Sequence, residues 1–347
     1  MKKAKVAIFG ASGYSGEELV KRLSEHPLVD LTCLTSRQYA GKKASEIFGW
    51  IGPRSSVANV RFVVPDSGGL APFGVEYVFL ALPHGVAAEH ATALLSAGIK
   101  VLDLSADFRV KDPAVYKFFY KHEHPSPDLL QKSVYGLPEI YRAEIRGADL
   151  VACPGCYPTS ILLPLIPLLR AKLVRVSSII VNSMSGVSGA GRKTDSELLF
   201  VECNESARPY GLPLHRHLSE IEQELSNAAG EPVTIQFAPH LIPLNRGIIT
   251  TIHADPASPL TPEVLDDLFE QTYGAEWFIR LLGSNRYPDV KNVSGTNRVE
   301  IAWRIDPRTG RIILMSAEDN LVKGAAGQAI QCFNIMNGWE EALGLGT

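Results

Sequence analysis

The opening of the chain restricts its fold more than any other stretch. An apolar run at residues 6–9 is followed by Gly-Ala-Ser-Gly-Tyr-Ser-Gly at 10–16, amphipathic spacing over 17–23, and a second apolar run at 29–34. A short strand, a glycine turn and a helix leading into another strand make a βαβ unit. Apolar runs at 75–82 and 99–104, with an Ala-rich helical segment at 86–97 between them, continue the alternation. That pattern predicts an α/β, Rossmann-type doubly wound parallel sheet, with its edge near 150–152.

Beyond residue 174 the pattern changes to longer strand-like stretches at 176–182, 233–238, 248–254, 299–303 and 312–315, with helical spacing between some of them. These predict a second, α+β domain with a mixed, largely antiparallel sheet. An Ala/Gly-rich helical pattern at 321–335 closes the chain. A length of 347 residues suits two domains.

With 34 basic and 37 acidic side chains the formal charge is −3, which argues against a nucleic-acid partner, since phosphate contacts need a basic excess. The strongest apolar run, around 161–169, is interrupted by Pro164 and Pro167 and falls short of the roughly 18 residues of a membrane span. The basic start followed by residues 6–9 is too short for a signal peptide and reads as a first strand. Five cysteines, an odd number, argue against a disulfide scaffold and for a reducing cytoplasm.

Gly10, Gly13 and Gly16 sit where backbone N–H groups at a helix start can hold a pyrophosphate. Their spacing is GxxGxxG rather than GxGxxG, and a plain βα turn also favours glycine. Where an NAD enzyme carries an acidic residue after the second strand, this chain has Thr35-Ser36-Arg37, with Lys42 and Lys43 close behind. A hydroxyl and a guanidinium suit a 2′-phosphate and favour NADP; the competing reading is a solvated basic loop.

The segment VACPGCYPTS places Cys156 between a buried-strand pattern and a helical one. A helix N-terminus there favours the thiolate and makes Cys156 a candidate nucleophile. Cys153 and Cys156 also form a C-x-x-C pair, open to a redox reading, but no second pair or clustered histidines complete a metal set, so no metal is expected. His215-Arg216-His217 precedes a helix-opening pattern and offers an imidazole as acid and base. His84, in Leu-Pro-His-Gly after a strand, is placed in the nucleotide cleft, whereas His240 and His253 lie in strand-like runs and read as core. The Gly/Ser-rich stretch 185–192, ending in Arg192, and Asp107-Phe108-Arg109 are candidate anion sites or ordinary turns.

With these motifs in place the chain resembles the aspartate-semialdehyde dehydrogenase superfamily, and within it the N-acetyl-γ-glutamyl-phosphate reductase family. GASGYSG, TSR, ALPHG, DLSADFR, YGLPE, PGCYPT, SGVSGAGR and DNLVKGAAGQAIQ occur in the family's order, and PGCYPT is the most specific. The resemblance implies Cys156 as nucleophile and His217, or its neighbour His215, as acid/base. It implies Gly10, Ser12, Gly13, Tyr14, Ser15 and Gly16 at the pyrophosphate, Ser36 and Arg37 at the 2′-phosphate, and Pro83, His84, Asn320 and Lys323 at the cofactor. Arg109, Ser185, Gly186, Gly189 and Arg192 are candidates for the substrate's phosphate or carboxylate. Ser219 stands where the family more often has Pro, a minor departure at a helix start.

The implied domains are 1–155 with 319–347 for NADP, and 156–318 for catalysis and self-association as a dimer or tetramer. The implied activity is NADPH-dependent reduction of N-acetylglutamyl phosphate, a small acyl phosphate, through a Cys156 thioester. A related reductase acting on a carrier-bound aminoadipyl phosphate, a dithiol oxidoreductase and a non-catalytic NADP sensor are the alternatives.

Overall fold

A computed structural model describes residues 2–192 and 195–346. They form two compact units. One gathers the residues up to Lys117, Lys121–Pro154 and those from Ala325 on; the other gathers Gly155–Gly324 with Phe118–Tyr120. Residues 319–324, expected with the first unit, group with the second, where Asp319 accepts from the Gly295 amide (2.6 Å) and Asn320 from the Gly247 amide (2.7 Å).

The first unit is a parallel sheet of β1 (Ala4–Phe9), β2 (Val29–Thr35), β3 (Phe62–Val63), β4 (Tyr77–Leu80), β5 (Lys100–Asp103), β6 (Val134–Tyr135) and β7 (Leu150–Ala152), in the order β3-β2-β1-β4-β5-β7-β6. Val6, Ala7, Ile8 and Phe9 are all fully buried, as a central parallel strand covered on both faces requires. Helix α1 (Tyr14–Glu25) makes the first crossover. Helix α2 (Ala87–Ser96) turns Ala87, Ala88, Ala91 and Leu94 into a core shared with Val78, Leu80 and Val101. The strand order reverses at β1 and β4, which puts the ligand crevice of such a sheet beyond their carboxyl ends. The expected edge at 150–152 is corrected: β6 lies outside β7, pairing Val134 with Val151. Two residues are too few to show a period.

The second unit carries β8 (Ile180–Gly186), β9 (Arg208–Pro209), β10 (Gln236–Ile242), β11 (Ile248–Ala254), β12 (Ile279–Gly283), β13 (Val299–Ile305) and β14 (Ile312–Glu318) in the order β12-β13-β14-β11-β8-β10-β9. The sheet is mixed and mostly antiparallel: only β12 with β13 and β8 with β10 run parallel. Two expected strands start late for local reasons. Residues 176–178 form a 3-10 turn closed on the Arg175 carbonyl by the Ser178 amide and hydroxyl. The amides of Val233 and Ile235 donate to Ser226 Oγ and Glu222 of the neighbouring helix, so β10 begins only at Gln236.

Helix α3 (Cys156–Arg170) is buried on all sides from Tyr157 to Leu169 and continues as one helix through Pro164 and Pro167. Each proline leaves the carbonyl four residues earlier without its helical donor. Ser316 Oγ donates to the Ser160 carbonyl (2.6 Å) and Tyr273 Oη to that of Leu163 (2.8 Å), so neither carbonyl is orphaned. The last helical pattern opens with a π-helical turn, Val322–Ala326, before α-helix Gly327–Met336. No helix among the described residues is long and apolar enough to cross a membrane.

Candidate active site

In the first unit the site is made of backbone. Gly10 ends β1 at φ +78°, and its amide donates to Thr35 Oγ1 (3.1 Å), while the Gly13 amide returns to the Gly10 carbonyl (3.1 Å). Gly16 lies so near this turn that a Cβ there would sit 2.3 Å from the Gly10 carbonyl oxygen and 2.7 Å from Ala11 Cα. No side chain caps the N-terminus of α1, and a helix start of this kind fits a pyrophosphate through its first amides and dipole. Tyr14 and Ser15 open the helix, with Tyr14 exposed.

Ser36 is buried, with its hydroxyl 3.0 Å from that of Ser12, and Arg37 is exposed just past β2. The loop after β4 is pinned: His84 Nδ1 accepts from the Ala106 amide (2.9 Å), with Pro83 exposed beside it. Buried Asp107 accepts from the amides of Gly85 (2.7 Å) and Ala88 (3.0 Å) and from Tyr116 Oη (3.1 Å). Burial, and then Asp107, push the Asp103 carboxyl up. Arg109 is buried too, donating from Nε to the Cys153 carbonyl (2.7 Å) and from Nη2 to that of Leu104 (2.9 Å).

In the second unit the site is made of side chains. Cys156 is the first residue of α3 and half-buried, at the positive end of the helix dipole. Gly324, in the π-helical turn, faces it without a side chain: a Cβ there would lie 2.7 Å from Cys156 Cβ and 2.9 Å from Glu318 Oε1. His217 occupies the N-cap position of helix α4 (Leu218–Ala229), without a side-chain capping bond. Fully buried Glu220, one turn on, reaches both features: Oε2 accepts from the Gly155 amide (3.2 Å) and Oε1 stands 3.8 Å from His217 Nε2. One carboxylate thus fixes the turn before the thiol and faces the imidazole.

His215 Nδ1 accepts from the His217 amide (3.2 Å), and burial, then the neighbouring Arg216 charge, push His215 down to about 4. It stays neutral near pH 7 and braces the turn that carries His217. Tyr157 Oη lies 2.8 Å from Tyr210 Oη; burial raises both phenols, Tyr210 to about 12, so they remain protonated donors.

A cavity of 390 Å³ is lined by Cys156, Tyr157, Tyr210, His215, Arg216, His217 and Arg208, together with Ser185, Gly186 and Gly189. The glycine-rich wall is stitched down. The amides of Gly186, Val187 and Ser188 donate to the carbonyls of Gly247, Leu244 and Asn245, and Asn320 donates to Ser188 Oγ (3.0 Å). Arg192 is exposed and, like Arg109, is not among the residues lining this cavity. Lys323 is buried with its ammonium 5.8 Å from the Phe278 ring centroid. Sequence reasoning passed over Glu220, Tyr210, Arg208 and Arg216. Glu220 reads as a helix-start acid, and nothing in sequence shows that it is buried. Arg216 sits between two histidines that take the attention.

Residues 5–148 match the family model described as semialdehyde dehydrogenase, NAD binding domain, and residues 156–320 match semialdehyde dehydrogenase, dimerisation domain. Among solved structures, aspartate semialdehyde dehydrogenase II from Vibrio cholerae aligns with a TM-score of 0.73 at 22% identity, covering 97% of this chain and 99% of that one. The Candida albicans enzyme with NADP aligns at 0.69 and 17%, with coverage of 97% and 99%. Fold and domain matches together define a semialdehyde dehydrogenase built around a nicotinamide-dinucleotide-binding domain.

A protein named N-acetyl-gamma-glutamyl-phosphate reductase from Akkermansia muciniphila is 55% identical over 99% of both chains. One of the same name from Geotalea daltonii is 47% identical over 98% of this chain and 97% of its own. The chain belongs to the semialdehyde dehydrogenase family, in the branch whose curated members carry that name.

Proposed function

We propose that this chain reduces N-acetyl-L-glutamyl 5-phosphate to N-acetyl-L-glutamate 5-semialdehyde and phosphate, with NADPH as cofactor, in arginine biosynthesis in the cytoplasm. The observation that carries this is the half-buried thiol at the start of α3, in one cavity with His217 and braced by Glu220, in a chain 55% identical to a relative of that name. Ser36 and exposed Arg37, with no acidic residue at the end of β2, support NADP over NAD.

Cys156 Sγ gives its proton to His217, attacks the acyl carbon and displaces phosphate as the C–O bond breaks, leaving a thioester. A bound nicotinamide supplies the hydride. The resulting thiohemiacetal oxyanion is met by the first-turn amides of α3 and the proton held on His217. The Gly155 amide is not one of these donors, because it is engaged by Glu220. Collapse releases the aldehyde and returns the thiolate. His215, neutral and already accepting a backbone hydrogen bond, serves as a positioning residue. Glu220 balances the charge of His217 while that residue carries its second proton.

Self-association into a dimer or tetramer is the companion proposal. It is supported by the dimerisation-domain match and by a partly exposed sheet face bearing Ile180, Met184, Ile249, Ile313 and Met315. The deciding assay is phosphate-dependent reduction of NADP by N-acetylglutamate semialdehyde, run beside the one-carbon-longer aminoadipate analogue. Turnover restricted to the longer aldehyde, or independent of phosphate, overturns the substrate assignment.

A further inference from the structure

This inference rests on the activity proposed above. The acyl phosphate and the aldehyde share one anionic group, the α-carboxylate, which the cavity must hold through both steps while phosphate departs between them. We propose that Arg216 receives that carboxylate and sets the enzyme's preference for it.

Among the described residues two arginines line the cavity. Arg208 is already engaged, its Nη2 donating to the Glu197 carbonyl (2.9 Å) and lying 3.4 Å from Glu197 Oε2. The other acid on the wall, Asp195, accepts from the Glu197 amide (3.1 Å) as the cap of a short helix. Arg216 is exposed and lines the same cavity, and among the described residues no carboxylate pairs with it. It shares the cavity lining with Cys156, Tyr210, His215 and His217.

On the glycine-rich part of the lining, the amides of Gly186, Val187 and Ser188 are engaged within the protein and are not offered to an anion. Among the described lining residues the arginine without a carboxylate partner is therefore Arg216, and a guanidinium binds a carboxylate through two parallel hydrogen bonds.

The test uses the full-length wild type with Arg216→Met and Arg216→Lys. Each is assayed with NADP and phosphate on N-acetylglutamate semialdehyde and on 4-acetamidobutanal, the same aldehyde without its carboxylate. For Arg216→Met, kcat/KM on the first aldehyde falls about 30- to 100-fold, while on the second it moves less than about threefold. Arg216→Lys recovers part of the loss, the KM for phosphate stays within about twofold, and the melting temperature matches wild type. Equal losses on both aldehydes would overturn the proposal, and so would a defect confined to the KM for phosphate, because the anion held would then be the leaving group. A wild type idle on both aldehydes removes the activity itself, a failure visible before any variant is compared.

Discussion

The glycine turn of the first unit and the thiol cavity of the second are built by opposite means. The turn works with main chain: one contiguous segment, three glycines and a helix end with no side-chain cap. The cavity works with side chains of Cys156 and of residues 208–217, around one helix start whose preceding amide Glu220 holds. A backbone site fails when something is added to it, and a side-chain site fails when something is taken away.

The largest effect that follows is at the thiol. Cys156→Ser removes at least about 1,000-fold of the reduction rate while NADPH binds as before, measured by single turnover and by nucleotide fluorescence. Near-normal turnover would end the covalent route. The mirror experiment adds one methyl group: Gly16→Ala forces a Cβ to within 2.3 Å of the Gly10 carbonyl oxygen. NADPH affinity then falls about 100-fold, with the alkylation rate of Cys156 by iodoacetamide unchanged. Loss of thiol reactivity in that variant would show that the two regions are not independent.

Glu220→Gln keeps an acceptor for the Gly155 amide but removes the charge facing His217. It should lower kcat about 30-fold and reshape the pH profile, with the KM for the aldehyde little changed. A uniform loss without a change in the profile would make Glu220 purely structural. Arg37→Ala should weaken NADPH about tenfold and leave NADH alone, and equal losses would remove the 2′-phosphate assignment.

The smallest effect concerns acid. His215 is held down to about 4, so the unfolded chain takes up its proton first as pH drops below 6.5. Native stability falls by about 1 kcal/mol between pH 7 and 5.5, a slope that His215→Gln flattens in urea melts. Asp103 has the opposite sign: a carboxyl raised in the folded state loses its stabilising contribution as pH climbs above the ordinary Asp value.

The same contrast explains what could be read in the sequence. The βαβ opening and the glycine turn are local, so spacing and residue type announce them, and the parallel and mixed sheets follow from strand patterns at 6–9, 29–34 and 248–254. Edge strands of two residues, at Val134–Tyr135 and Arg208–Pro209, carry no period to detect. The late start of β10 depends on Ser226 and Glu222 reaching across from a helix. Cys156 and His217 stood out because their neighbours are unusual. Glu220 and Arg216 did not, because what marks them lies in their surroundings in space: burial for one and, among the described residues, no paired carboxylate for the other.

The stitched wall at 186–188 has a consequence for affinity. Three amides tied to carbonyls at 244, 245 and 247 make a surface whose shape exists before any guest arrives. A visitor to the cavity has little chain to freeze, so the entropic penalty of docking falls mainly on its own rotors. A handful of polar contacts can then discriminate between guests that differ by a single ionised group.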